Sequence, residues 1–181
     1  MLRESDRQDG IVCVKVGENG YADVILGELG AVQTVGSCNI ELLGNGSRAE
    51  LDGIYAAADS QEQDLNYRIG FTGKESQGAI VVKGALAGQA RKALKSTIDF
   101  IKGAAGAKGR EEETVLVLSD KVINLSAPLL LCGEDNVEGE HATSTGKPDE
   151  AKLYYRMSRG LSETEAKKLI VEASFTPLLN K

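Results

Sequence analysis

A single histidine, His141, is the only imidazole in the 181 residues, and it lies in an acidic, glycine-punctuated stretch, EDNVEGEHATSTG at 134–146. Imidazole is a borderline-soft metal ligand and the side chain whose ordinary titration lies nearest neutrality, so metal binding and general-base chemistry are both open to it. The plainer reading of a lone histidine is a hydrogen-bonded structural residue. Cys13, Cys38 and Cys132 are far apart and form no CxxC pair. That spacing fits neither a disulfide framework nor a zinc knuckle and reads as reduced thiols acting as small buried hydrophobes. The carboxylate pairs Glu134 with Asp135 and Glu138 with Glu140 occur in a chain of 27 acidic residues, too many for a glycosidase-type pair to stand out.

Several chemistries are excluded. Gly106-Ala107-Lys108-Gly109 lacks the Gly-Lys-Ser/Thr of a phosphate-binding loop, and Gly146-Lys147 is followed by Pro148 where the magnesium-binding hydroxyl would stand. There is no GxSxG and no HExxH. A net charge of -6 argues against nucleic acid or an anionic membrane surface as a partner. No apolar run is long enough to span a bilayer, and residues 1–10, MLRESDRQDG, are too polar for a secretory signal, so the expected location is the cytoplasm.

The elements that position His141 read as short strands. VKVGENGYA (14–22), VILGELGAV (24–32) and ELLGNGSRA (41–49) repeat an apolar group, a glycine and a polar residue, and LVLSDKVIN (116–124) carries Ser119 in place of the glycine. Such a unit cannot bury its apolar side alone and must stack on its neighbours. Leu65, Tyr67, Ile69 and Phe71 alternate with polar residues or glycine, as do Ala49, Leu51, Gly53 and Tyr55. GAAGAKG (103–109) reads as a flexible loop, and Glu111, Glu112 and Glu113 as the solvated start of a strand. The stretch 90–101 fits either a helix, with Ala90, Ala93, Leu94, Thr97, Ile98 and Ile101 on one face, or a strand, with Leu94, Ser96, Ile98 and Phe100 alternating. Taken alone, its pattern leans to the helix.

The tail reads as a helical hairpin. Pro148 is placed for a first helical position, Leu153, Tyr154, Met157 and Leu161 form an apolar stripe, and Gly160 suits the residue after the helix. Ser162 with Glu165 forms a capping box for a second helix lined by Ala166, Leu169, Ile170 and Ala173 and ended by Pro177. The expected organisation is a polar leader at 1–10, a β core at 11–145 and a helical tail at 146–181.

LSDK (118–121), Pro128, EDNV (134–137), HAT (141–143) and DEAKLYYRMSRGL (149–161) together resemble the C-terminal block of the SufB/SufD family, the scaffold proteins of the Suf iron-sulfur cluster assembly system. LLGNGSRAELDGIYAA and VVKGALAGQARKALKSTIDF are also similar to family β-helix turns, so the resemblance covers most of 20–176. It implies a mostly β chain, a right-handed parallel β-helix with a C-terminal helical hairpin, and it favours the strand over 90–101.

It further implies a non-enzymatic scaffold. Such a scaffold pairs with a SufB/SufD-type subunit or a second copy of itself and docks a SufC-type ABC ATPase through the tail, with Tyr155, Arg156 and Arg159 as contacts. His141 corresponds to the histidine implicated in SufD-type members, the metal and cofactor residue for an iron-sulfur cluster held transiently at a subunit interface. The sulfur-receiving cysteine of SufB-type members falls at about Glu113, and the cysteine two residues before the histidine in SufD-like segments is Gly139. The chain thus resembles a SufD-like member shortened at its N-terminus. Rival readings are a β-solenoid acyltransferase with His141 as base, which requires a strict six-residue repeat, and a degenerate paralogue with a purely structural or interaction role.

Overall fold

The computed structural model describes residues 7–180. Ten strands of nine or ten residues follow one another: β1 (Arg7–Val16), β2 (Tyr21–Leu29), β3 (Gln33–Leu42), β4 (Arg48–Ala57), β5 (Glu62–Phe71), β6 (Gln77–Leu86), β7 (Arg91–Phe100), β8 (Lys108–Val117), β9 (Ile123–Cys132) and β10 (Glu138–Gly146). Odd strands form one parallel sheet in the order β1-β3-β5-β7-β9 and even strands a second in the order β10-β8-β6-β4-β2. The chain is therefore a β-solenoid of about 5 turns, each turn one odd and one even strand, followed by a C-terminal helical pair. Among the described residues no helix is long and apolar enough to cross a membrane.

The alternation legible in the sequence sets which side chains enter the space between the sheets. Leu65, Tyr67, Ile69 and Phe71 all point inward and are fully buried, as do Ala49, Leu51 and Tyr55. Parallel pairing in register stacks each inward residue on its equivalent one turn away, about 4.8 Å off. The odd sheet thereby builds the column Val14–Ile40–Ile69–Ile98–Leu130, and the even sheet Val24–Leu51–Ile80. Residues 91–100 are a strand, not the amphipathic helix their spacing also allows, because Leu94, Ile98 and Phe100 complete these columns.

Large inward side chains are accommodated by missing ones. Tyr55 runs along its column through the space at Gly84, where a Cβ would collide with the phenol ring, and Tyr67 lies over Gly53. The turns stack too: Gly46 N–H donates to the Lys74 carbonyl (2.8 Å), Glu75 to Ala105 (3.0 Å) and Gly106 to Asn136 (2.7 Å). GAAGAKG is consequently not a flexible loop. Its Ala104 and Ala107 are fully buried, Gly103 and Gly106 take positive φ, and its last two residues open β8.

Other details differ from the sequence reading. β1 begins at Arg7 rather than after a ten-residue leader, whose first six residues lie outside the described ones. Pro148 precedes the first helix, α1 (Glu150–Ser158). Its N-cap is Asp149, whose Oδ1 accepts from the backbone of Ala151 (2.8 Å) and Lys152 (3.2 Å). Ser162 and Glu165 make the capping box of the second helix, α2 (Glu163–Leu179), and Gly160 takes φ 95 as the turn requires. Pro177 lies inside α2 and does not end it. Leu178, one residue on, is buried against β4 and β6 with Phe175, Ile54 and Ala85, and that packing outweighs one missing backbone bond.

The hairpin docks through α2 on the outer face of the even sheet, not on the end of the solenoid. Of the expected lining of α2 only Ala166 is buried, Leu169 and Ala173 being exposed. α1 fully buries no residue: of its stripe Leu153 is half-buried, while Tyr154, at 76%, and Met157 are exposed.

Replacing Gly84 with Ala should force Tyr55 out of its column and cost about 3 kcal/mol in urea unfolding. Gly27→Ala, at a strand position where a Cβ meets nothing within 4 Å, should stay within about 0.5 kcal/mol of the parent.

Candidate functional site

The columns change character toward the C-terminal end. Val24, Leu51 and Ile80 are followed in register by Glu111 and then His141, while Leu26, Gly53 and Val82 are followed by Glu113 and Thr143. Gly109, Glu111, Glu113 and Val115 are the buried members of β8. The residues on β10 that stack on them, Gly139, His141, Thr143 and Thr145, therefore face inward as well. Gly139 confirms the direction, since a Cβ there would press on Leu130 at 2.7 Å and Phe100 at 3.1 Å.

The run Glu111 to Glu113 is thus not a solvated strand start. Glu111 is 2% and Glu113 1% exposed. Lys92 on β7 is wholly buried, and its Nζ meets Glu113 Oε1 at 2.5 Å and Ser126 Oγ at 2.9 Å. Tyr55, reaching up through Gly84, donates its hydroxyl to the same Glu113 oxygen at 3.0 Å. Ser96 donates to Glu111 Oε1 at 2.9 Å. Asn124 donates to Thr145 at 3.2 Å across the last turn.

These groups feel their burial. Loss of water pulls the Lys92 ammonium below its ordinary value, an effect that Glu113 partly offsets. Burial, then the adjacent Glu113, hold the Tyr55 phenol well above its usual range. Burial also pushes the Glu111 carboxyl up, opposed by the Ser96 hydrogen bond; Glu113 adds to the rise and His141 works against it. Glu111 Oε2 is buried and has no hydrogen-bond partner, a state that costs about 1–3 kcal/mol for an isolated acceptor.

His141 itself is exposed on β10, which pairs with β8 on one side and is the edge of its sheet. It lines an open cleft of about 500 Å³ with Arg110, Glu111, Glu112, Gly139, Glu140 and Ala142. Its register partner is Glu111. Glu138 and Glu140, its neighbours in sequence, take the opposite strand parity, and Glu138 is paired with Lys108 at 2.9 Å. β9 is the matching edge of the odd sheet, with Ile123, Leu125, Leu129 and Leu131 exposed on its outer side. The C-terminal end is accordingly an open mouth with two unpaired strand edges, an apolar flank and a polar interior.

The cysteines do not all follow the expected burial. Cys38 is buried, its thiol pushed up to about 11 by burial and by Cys13, whereas Cys13 and Cys132 are exposed; all three are free. Tyr155, Arg156 and Arg159 lie on or just after α1, with Arg159 over the Tyr155 ring at 5.2 Å and Arg156 donating to the Lys152 carbonyl at 3.2 Å. The structure does not bring them together with His141, which belongs to the mouth. Asp23, Glu50 and Asp52, on outward positions of the even sheet, have donor atoms within 4.8 Å of one another and form a second group of hard-cation ligand types.

The buried roles of Lys92, Glu111 and Glu113 were missed in the sequence because charged residues read as surface, whereas Tyr55 and Ser96 appeared there only as members of strand alternations. The available signal was parity: Glu111 and Glu113 share the phase of the buried Val115.

The sequence pattern of the family described as "SUF system FeS cluster assembly, SufBD core domain" matches residues 10–174. The chain is 29% identical over 165 residues to the iron-sulfur cluster assembly protein SufD of Bacillus subtilis, covering 91% of this chain and 38% of that protein. It is 30% identical over 162 residues to an iron-sulfur cluster assembly SufBD family protein of Staphylococcus epidermidis, covering 90% and 35% respectively. It spans little more than a third of the length of these relatives.

Two outcomes follow from the buried charges. Lys92→Met leaves Glu113 uncompensated and should cost about 3–5 kcal/mol in denaturant unfolding, most of it recovered in the Lys92→Met/Glu113→Met double variant. A raised Glu111 value means that its contribution to stability is intact below its ordinary 4.5 and is lost as pH rises through the raised value. The unfolding free energy of the parent relative to Glu111→Gln should therefore decline as pH is raised from about 4.5 to 7.

Proposed function

Because this chain belongs to the SUF-system SufBD core family, we propose that it is the solenoid core of a non-enzymatic scaffold subunit in iron-sulfur cluster assembly, working in the cytoplasm. The observation that carries the reading is the C-terminal mouth, where the only imidazole of the chain stands on an open strand edge above a polar interior. Iron is the cargo, and an imidazole is a suitable ligand for it. One histidine cannot hold a cluster, so further thiolate or carboxylate ligands come from the subunit facing the mouth.

Unpaired edges at β9 and β10 suit pairing with a SufB/SufD-type subunit or a second copy, since main-chain donors and acceptors there await strands. The exposed leucine flank of β9 adds apolar area to such a contact.

A SufC-type ATPase docks on α1 in this reading. α2 is the helix tied to the solenoid, which leaves α1 with Tyr154, Tyr155, Met157 and Arg159 facing solvent. Tyr and Arg are residue types that dominate binding energy at interfaces. The ten-residue strands and two-sheet cross-section speak against an acyltransferase built on six-residue repeats. Glu113, standing about where SufB-type members carry the sulfur-receiving cysteine and tied instead to Lys92 and Tyr55, supports a SufD-like role without a sulfur nucleophile.

Arg156→Glu/Arg159→Glu should abolish co-purification with the ATPase while leaving the thermal unfolding midpoint within a few degrees of the parent. Retained co-purification by the folded double variant would contradict the docking assignment. His141→Ala, assembled with the partner subunit and reconstituted anaerobically, should lower cluster loading without altering subunit association; normal loading would reduce His141 to a structural residue. Iron affinity should also fall as pH is lowered, because a protonated imidazole cannot ligate.

A further inference from the structure

We infer that Glu111 is a positioning residue for His141: its unpartnered oxygen accepts a hydrogen bond from one imidazole nitrogen and so aims the other nitrogen out of the mouth. The inference rests on the reading of His141 as the residue that meets iron cargo. Glu111 and His141 are register partners on adjacent parallel strands and share the inward face, which brings the imidazole within reach of the carboxylate. Ser96 fixes one carboxylate oxygen at 2.9 Å and thereby fixes the direction of the other, Oε2, which is buried without a partner.

The nearest alternative donors are engaged elsewhere or turned away, although the Tyr67 hydroxyl is itself without a partner. The Lys92 ammonium is held by Glu113 and Ser126, and the Tyr55 hydroxyl by Glu113. Tyr67 leans over Gly53, away from the mouth, and Thr143 stands over Glu113. Pro128, on the last turn of the odd sheet, has no N–H to give. His141 is the donor that the register stacks on Glu111, and as an exposed side chain on an edge strand it is free to turn onto the carboxylate. A carboxylate that takes one ring N–H fixes the tautomer and orientation of a metal-binding histidine and raises its basicity. Glu111 can do this from below because the column beneath it, Leu51 and Ile80, is solid hydrocarbon that keeps the carboxylate from retreating.

The sole imidazole makes the test direct. Long-range ¹H–¹⁵N spectra of the uniformly labelled chain at about pH 8.5, above the ordinary range of histidine titration, report one ring. Glu111→Leu continues the apolar column and removes the acceptor, whereas Glu111→Gln keeps a carbonyl. The ring pattern of Glu111→Leu should shift toward that of a free exposed imidazole, and Glu111→Gln should resemble the parent. Co²⁺ serves as the probe for iron, with exposed Cys13 and Cys132 replaced by Ser, and Asp23 and Glu50 of the other acidic group by Asn and Gln, in every sample. Its binding should be lost in His141→Ala and weakened about tenfold in Glu111→Leu. A ring pattern unchanged by Glu111→Leu overturns the inference whatever His141→Ala does. Equal Co²⁺ affinity in Glu111→Leu and the parent, when His141→Ala has lost it, also overturns the inference. If the ring responds to Glu111→Leu but His141→Ala still binds Co²⁺, the orienting pair stands and the iron-binding reading of His141 fails.

Discussion

Every inward side chain of this solenoid shares a column with the residue at the same place on the turns before and after it, and nothing in the parallel register lets it slip out. Slippage by one residue would turn a whole apolar set to solvent, so the Val, Leu and Ile columns lock the register. Polar groups admitted to the interior must then find partners along the column or across it. Tyr55 does so by passing through Gly84 to reach Glu113, and Lys92 by crossing from the odd sheet to the even one. The buried ion pair exists because stacking leaves those two chains nowhere else to go.

That constraint leaves a largely apolar body, with one polar column, Thr34–Gln63–Lys92–Asn124, on the odd sheet, and gathers charged inward groups on β8 and β10. Two even-sheet columns, Val24–Leu51–Ile80 and Leu26–Gly53–Val82, are apolar or glycine from β2 to β6 and become Glu111 with His141 and Glu113 with Thr143 on β8 and β10. A buried pair of this kind is costly to break and contributes little net stability compared with an apolar replacement. Its presence near the mouth is better understood as shaping the environment under His141. The outer surface shows the same economy: Arg68 on β5 bridges Glu41 on β3 and Asp99 on β7, tying three turns of the odd sheet together from outside.

Much of the fold was legible because strand parity and glycine-ended units are direct signatures of stacking. Leu65 to Phe71 announced their inward face, and Ser162 with Glu165 announced a helix start. Residues 91–100 were ambiguous because a strand and an amphipathic helix share positions in so short a window; only neighbouring columns decide. The polar interior was harder to see. Lys92 and Glu113 look like surface until the register puts them opposite one another, and the partnerless oxygen of Glu111 becomes visible only when Ser96 is in place. The stripe on α1 misled for the reverse reason, since an apolar helical face has no partner written in its own sequence. Likewise Pro177 and the misplaced lining of α2 reflect packing on β4 and β6 that the helix alone does not encode.

Hydrogen exchange on the chain with and without a SufB/SufD-type subunit tests most directly whether the mouth formed by β9 and β10 is the interface proposed for it. Amides of residues 123–132 and 138–146 lie on edge strands and should gain protection on association, while β1 and β2 at the opposite end exchange as before. Protection confined to β1 and β2, with the β9 and β10 edges unchanged in a stable complex, would contradict the assignment of the mouth as the interface and of His141 as the residue it presents.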